Sequence, residues 1–192
     1  MKKSTIIILS IVAVFVIAIF WGISAYNSLV KMDENVTEKW AQVDNVYKRR
    51  ADLIPNLVNV VKGYAAHESQ TLENVIAARA KATSITIDPT TATPEQLQAF
   101  ANAQDGIGAA LGRLMAVSEN YPDLKANQNF LQLQSELEGT ENRITVERKR
   151  YNEACGEFNK KIRTIPYSFF GFEKRNYFEV SESERAVPEV QF

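Results

Sequence analysis

Residues 4–30 carry no charged side chain, and Thr5 to Ile23 (TIIILSIVAVFVIAIFWGI) is built almost wholly from Ile, Val, Ala, Phe and Leu. As a helix this run is long enough to cross about 30 Å of hydrocarbon, so a transmembrane segment is expected. A cleaved signal peptide has a shorter apolar core and small residues at its cleavage site, whereas here Ile23 is bulky where a small residue is wanted. An uncleaved signal anchor over residues 1–25 is therefore expected. No cysteine lies near its end, which excludes lipid attachment of the lipoprotein kind for this chain. Trp21 and Tyr26 sit where interfacial aromatics belong. Lys2, Lys3 and the amino terminus outweigh Lys31 and Lys39 by a thin margin. The positive-inside rule then keeps the N-terminus in the cytoplasm and puts the rest on the periplasmic or extracellular side of the cell (inner) membrane.

The whole chain is 192 residues, so the part beyond the anchor has room for one domain with its own core. With 22 Lys+Arg against 23 Asp+Glu and no long block of one sign, it lacks the basic footprint of a nucleic-acid binder. Cys155 is the only cysteine. That rules out an internal disulfide and a zinc site of several cysteines, and it suits a small buried apolar residue.

Helical periodicity accounts for the remainder. Val36, Trp40, Val43 and Tyr47 recur at spacings of four, three and four, one apolar stripe on a first helix. Residues 49–58 (RRADLIPNLV) interrupt it. Lys48, Arg49 and Arg50 suit a last helical turn, where cations face the negative end of the macrodipole, and Asp52 suits the N-cap of a following helix. Pro55 suits its first turn, because a proline in a helix interior costs about 3 kcal/mol. A helix-to-helix corner is expected here, with a single long helix kinked at Pro55 as the alternative.

Leu57, Val58, Val61, Tyr64, Leu72, Val75 and Ile76 carry a second helix to about Ala82. After a polar, β-branched run, Thr93-Pro94-Glu95-Gln96 offers an N-cap, a proline at the first helical position and a glutamine at the third. A third helix therefore starts at Pro94 and ends at Asn120-Tyr121-Pro122-Asp123. A fourth runs to about Thr164 with Phe130, Leu133, Leu137, Ile144, Tyr151, Phe158 and Ile162 on one stripe. No strand is needed. The expected fold is all-α: an N-terminal transmembrane helix, an up-and-down four-helix bundle of long antiparallel helices over residues 26–165, and an aromatic-rich tail at 166–192.

Several stretches carry a family likeness: Tyr26-Asn27-Ser28-Leu29-Val30 after the anchor, RRADLIPNLV at 49–58, VKGYAAHE at 61–68, ENYPDLKANQNF at 119–130, EGTENRI at 138–144, and Phe170-Gly171-Phe172. Together they resemble the LemA family over nearly the whole chain. The resemblance implies a small bacterial protein with a single N-terminal anchor and an up-and-down four-helix bundle. It also implies that no catalytic residues can be carried over, because the family's biochemical role is not established.

Sites of catalysis or metal binding find little support in the residues. His67-Glu68 invites comparison with a zinc-protease helix, but that motif needs a second histidine four residues after the first, and position 71 is Thr71. Glu68, Glu141 and Glu147 lack the Glu-x-x-His partners of a di-iron bundle. Gly106, Gly108 and Gly112 have the wrong spacing, and no preceding strand, for a phosphate loop. Cys155 has no base nearby in sequence. No catalytic residue, metal or cofactor is expected.

Two surfaces remain. In the up-and-down order the expected corner with Arg49, Arg50, Asp52 and Asn56 would lie beside the turn with Glu119, Asn120, Tyr121 and Asp123 at the membrane-distal end, where the group serves either as caps and surface ion pairs or as a polar docking surface. At the other end Tyr167, Phe169, Phe170 and Phe172 follow the last helix among lysines and arginines. Such a mixture suits a membrane interface, and equally a flap folded over the open end of the core. The expected function is that of a membrane-anchored scaffold or adaptor for another envelope protein, not an enzyme. The alternative is a hydrolase with a site around His67 and Glu68.

Overall fold

The apolar stripe that begins at Val36 does not break at the expected corner. Val36, Trp40, Val43, Tyr47, Arg50, Ile54, Leu57 and Val61 are all buried, and their spacing alternates four and three without a change of phase. In the structure, a computed structural model that describes residues 3–178, they lie on α1 (Lys3–Tyr64), one helix of 62 residues with Pro55 inside it. Residues 1–2 and 179–192, parts of the expected anchor and tail, lie outside the described residues. The corner expected at residues 49–58 is thus replaced by continuous helix. Asp52 is an exposed mid-helix residue rather than an N-cap.

The physical reason lies in another helix. Pro55 has no N–H to give the carbonyl four residues back, which leaves the Ala51 oxygen without its helical donor. Arg79 Nε donates to that oxygen at 2.7 Å. A tertiary hydrogen bond from a cation thereby replaces the missing local one. The chain turns instead at residues 65–68, after Gly63, and α2 (Ser69–Thr83) begins without a side-chain cap.

Three more helices follow: α3 (Pro94–Ser118), the one-turn α4 (Pro122–Lys125) and α5 (Gln128–Ile162), then a 3₁₀ turn at Tyr167–Phe170. There is no strand among the described residues. The start of α3 is as expected. Thr93 accepts from the Gln96 N–H, and the Gln96 side chain accepts from the Thr93 N–H at 2.9 Å, a reciprocal capping box with Pro94 at the first position. Asn127 caps α5 by accepting from the Phe130 N–H at 3.1 Å.

The long fourth helix finds its length matched by α1. Tyr64 bonds to Asn127, Arg50 to Glu141, and Trp40 meets Tyr151, so the two run in opposite directions over their shared length. On α5 Phe130, Leu137, Ile144, Tyr151 and Phe158 are buried at every seventh residue, the repeat that keeps one seam facing a neighbouring helix. Two apolar cores result. The upper one gathers Ile54, Leu57, Val61, Leu72, Val75 and Leu114 with their neighbours, and the lower one gathers Leu29, Trp40, Tyr47, Phe100, Tyr151 and Phe158 with theirs.

Close packing joins α1 to α5, α1 to α2 and α2 to α3, whereas α3 and α5 stand further apart. Arg50 bridges their seam between the two cores. Lower down, the tail enters it. Among the described residues, residues 6–24 of α1 are exposed apart from half-buried Gly22, with Trp21 in contact with Tyr167; that segment is long and apolar enough to cross a membrane.

Candidate docking sites

At the distal end the turn between α1 and α2 meets the connection from α3 to α5. The Asn127 side chain donates to the Tyr64 hydroxyl at 2.8 Å, and the Tyr121 hydroxyl donates to Glu68 at 3.1 Å. Partial desolvation, and then the Glu68 carboxylate, hold the Tyr121 hydroxyl above its ordinary pKa. Glu119 pairs with Lys125, and Asn120 and Asp123 are exposed beside them. His67 is exposed in the same turn. Among the described residues no three or more His, Cys, Asp or Glu gather as a metal would require.

The other half of the expected docking surface is elsewhere. Because α1 does not turn at residue 50, Arg49, Asp52 and Asn56 lie along its shaft, and Arg50 sits about 20 Å below Tyr64 at 1.5 Å per residue. Arg49 is exposed, 4.0 Å from Glu136. Arg50 is not surface at all, with 3% of its area exposed. Its guanidinium donates to the Gln104 carbonyl at 2.8 Å, to the Gln104 side chain at 2.7 Å and to Glu141 at 2.7 Å, while its Nε is buried with no partner among the described residues. Tyr47 lies 5.2 Å beneath the cation. This arginine is a three-helix tie that holds α1, α3 and α5 in one register. Its place on a buried position of the four-and-three pattern was a signal, present in the sequence, that it does not face water.

At the foot of the bundle the tail returns to α1. Tyr167 packs on Trp21 at 6.5 Å, Phe170 and Phe172 on Tyr26 at 5.8 and 5.6 Å, and Phe172 also on Phe158 at 6.0 Å. Phe169 points away, 80% exposed, as does Ile165. The aromatics thus divide: Tyr167, Phe170 and Phe172 lie against protein, and Phe169 is exposed among the described residues.

The last described residues form a feature that sequence periodicity could not reveal. Residues 175–178, in neither helix nor strand, lie in the seam, held mainly by side chains of α5. The Asn159 amide both donates to the Arg175 carbonyl at 2.7 Å and accepts from its N–H at 2.8 Å. The Asn152 amide does the same to Phe178, at 2.8 and 2.7 Å. Between them the Asn176 carbonyl accepts from the Tyr151 hydroxyl at 3.0 Å and the Cys155 thiol at 3.7 Å. Arg175 forms a two-point ion pair with Asp33 at 2.7 Å and also donates to the Thr90 carbonyl. Phe178, 2% exposed, enters a ring of Trp40, Tyr47 and Phe100, under the Arg148 guanidinium at 4.4 Å. Burial pushes the Cys155 thiol up to about 11 and the Tyr47 phenol up to about 12, so neither ionises near neutrality.

A model of the LemA family matches residues 39–192. The chain is also similar to magnetosome protein MamQ 2 of Paramagnetospirillum magneticum, 29% identical over 175 residues that cover 80% of this chain and 64% of that one. It is similar to magnetosome protein MamQ of Magnetospirillum gryphiswaldense, 27% identical over 174 residues, with 80% and 64% covered. Protein LemA of Metamycoplasma hominis is 28% identical over 139 residues, 72% of this chain and 60% of that protein. The chain therefore spans somewhat under two thirds of the length of these relatives.

Proposed function

The chain belongs to the LemA family, and from that premise we propose that it is a membrane-anchored helical scaffold that presents its distal end to another protein of the bacterial envelope. One observation carries this reading: α1 is uninterrupted from the apolar segment to Tyr64. From residue 24 to residue 64 that is about 60 Å of helix at 1.5 Å per residue. Contacts of Tyr167 and Phe170 with Trp21 and Tyr26 brace the bundle against the same helix just above the hydrocarbon. A rigid post of this kind holds the distal end at a set height and keeps its orientation.

In this reading the docking residues are Asn120, Tyr121 and Asp123 with Glu119, joined by Tyr64 and Glu68 rather than by Arg50. The anchor lies in the cell (inner) membrane with the bundle on the periplasmic or extracellular side, as the charges around it favour. Exposed Phe169 and Ile165 reach for the interface between headgroups and acyl chains, where aromatic and aliphatic side chains are favoured.

Photo-crosslinking in intact membranes tests it. A benzophenone side chain at Asn120 or Asp123 should give one discrete, stoichiometric adduct with a membrane protein, and the same probe at Glu73 on α2 should not. Adducts at Glu73 equal to those at Asn120 would refute a distal docking surface. Bound metal together with a hydrolysis abolished by His67→Ala would favour an enzyme instead.

A further inference from the structure

We infer that the seam between α3 and α5 is a peptide-binding groove for an extended segment bearing a guanidinium and, three residues later, an aromatic ring. Its own residues 175–178 occupy it in cis, and a neighbouring membrane protein with such a segment docks there by displacing them. The inference does not rest on the distal-end reading, since it concerns another face of the bundle.

The geometry of the clamp leads to it. Asn152 and Asn159 are seven residues apart on α5, about 10.5 Å along a helix. Arg175 and Phe178 are three apart, about 10 Å in an extended chain. The two carboxamides therefore meet the main chain at matching intervals, and each satisfies both the N–H and the C=O of one residue. A carboxamide bonded in this way reads backbone, whatever the side chain. Specificity is supplied separately, by the Asp33 carboxylate for the guanidinium and by the Trp40, Tyr47 and Phe100 rings for the aromatic group.

A segment that only plugged a core would need Phe178 and little else. Here Asn159 is itself 7% exposed on a buried helix position, and burying a polar amide is unfavourable unless it is bonded. Its partners are the N–H and C=O of Arg175. Open clefts flank the occupant at Tyr177. A cleft of about 520 Å³ lined by Pro94, Leu97, Gln98 and Asn102 opens on one side of Tyr177. A second, of about 600 Å³, opens beside Tyr177 and Phe178 along Arg148, Lys149 and Asn152.

Release breaks no helix or sheet hydrogen bond among the described residues. The tail leaves α5 after Ile162, and residues 171–178 belong to no helix or sheet. The position of the groove limits the partner. Asp33 lies about 15 Å along α1 from the end of the apolar run at 1.5 Å per residue, so the docking segment must itself be close to the membrane surface. The tethered tail competes at roughly millimolar effective concentration, which makes the groove a gated one.

The test uses the full chain in detergent with Arg175→Ala and Phe178→Ala together, and a fluorescent peptide of residues 173–178. Anisotropy should show saturable binding to this variant, at least about tenfold weaker binding to the unaltered chain, and loss of binding when the peptide's arginine or phenylalanine is alanine. A folded variant that does not bind the peptide, or that binds the doubly substituted peptide as well, overturns the proposal. Should the variant not fold, the unaltered chain is irradiated with a peptide carrying benzophenone in place of its phenylalanine. Adducts on Trp40 or Phe100 support the groove, and adducts elsewhere overturn it. A benzophenone at Phe178 of the chain itself that links two copies in the absence of peptide makes the occupant a second copy and overturns the assignment to another protein.

Discussion

Arg79 is the residue on which the course of α1 turns. Its bond to the Ala51 carbonyl matters only because Pro55 cannot make one. Arg79→Ala is expected to destabilise the chain by about 1–3 kcal/mol, the range for hydrogen bonds to charged groups and for buried acceptors left unmade. In a Pro55→Ala background the helix supplies its own donor, so the same substitution should cost at least about 1 kcal/mol less. Urea unfolding of the four proteins reads the difference; equal costs in both backgrounds would mean that Arg79 acts elsewhere. Cys155 makes a prediction of opposite character. An unfolded thiol ionises near its ordinary value of 9.0, while the folded one keeps its proton to about 11. Between these the folded state binds more protons, so stability falls as pH rises, by at most about 1.4 kcal/mol per unit; below the window both forms are neutral and the group contributes no slope. Tyr47 adds to the fall only above 10.0. Unfolding midpoints followed upward from neutral pH should therefore begin to drop near 9 in the unaltered chain and later in Cys155→Ser.

Among the elements, α3 announces itself and α1 disguises itself. The Thr93 capping box is complete within four residues of sequence, and local bonds of that kind need no tertiary help. Thr93→Ala should cost about 0.5–2 kcal/mol. Asp52→Ala should change stability by less than about 0.5 kcal/mol, because Asp52 is an exposed helix residue without a cap to make. Thermal melts compare the two directly, and a larger loss at Asp52 would restore the corner. The misleading signs at residues 49–58 were all local: basic residues, an acid and a proline in the order of a helix junction. The sign that outweighed them was the uninterrupted alternation of four and three through Tyr47, Arg50, Ile54, Leu57 and Val61.

For the molecule as a whole, the continuity of α1 makes the foot of the bundle and the anchor one mechanical unit. If the bundle faces away from the cytoplasm, a cysteine placed at exposed Thr91, in a Cys155→Ala background, should react with an impermeant maleimide on intact spheroplasts. Labelling only after lysis would reverse the orientation.

The sequence alone determined whatever depends on neighbours a few residues apart: an apolar run long enough to span hydrocarbon, the helical period of the stripes, the capped start of α3, and the all-α class. These follow from main-chain bonding and side-chain spacing within a turn or two. Tertiary structure decided whatever depends on partners far along the chain. Arg79, 28 residues from Ala51, settles whether Pro55 ends a helix. Glu141, 91 residues from Arg50, helps turn an apparent surface cation into a buried tie. Arg175, 142 residues from Asp33, draws the tail into a seam that no periodicity describes. In each case a charged or polar group is stable in its place because a distant segment bonds it, and hydrophobic spacing carries no record of such a partner.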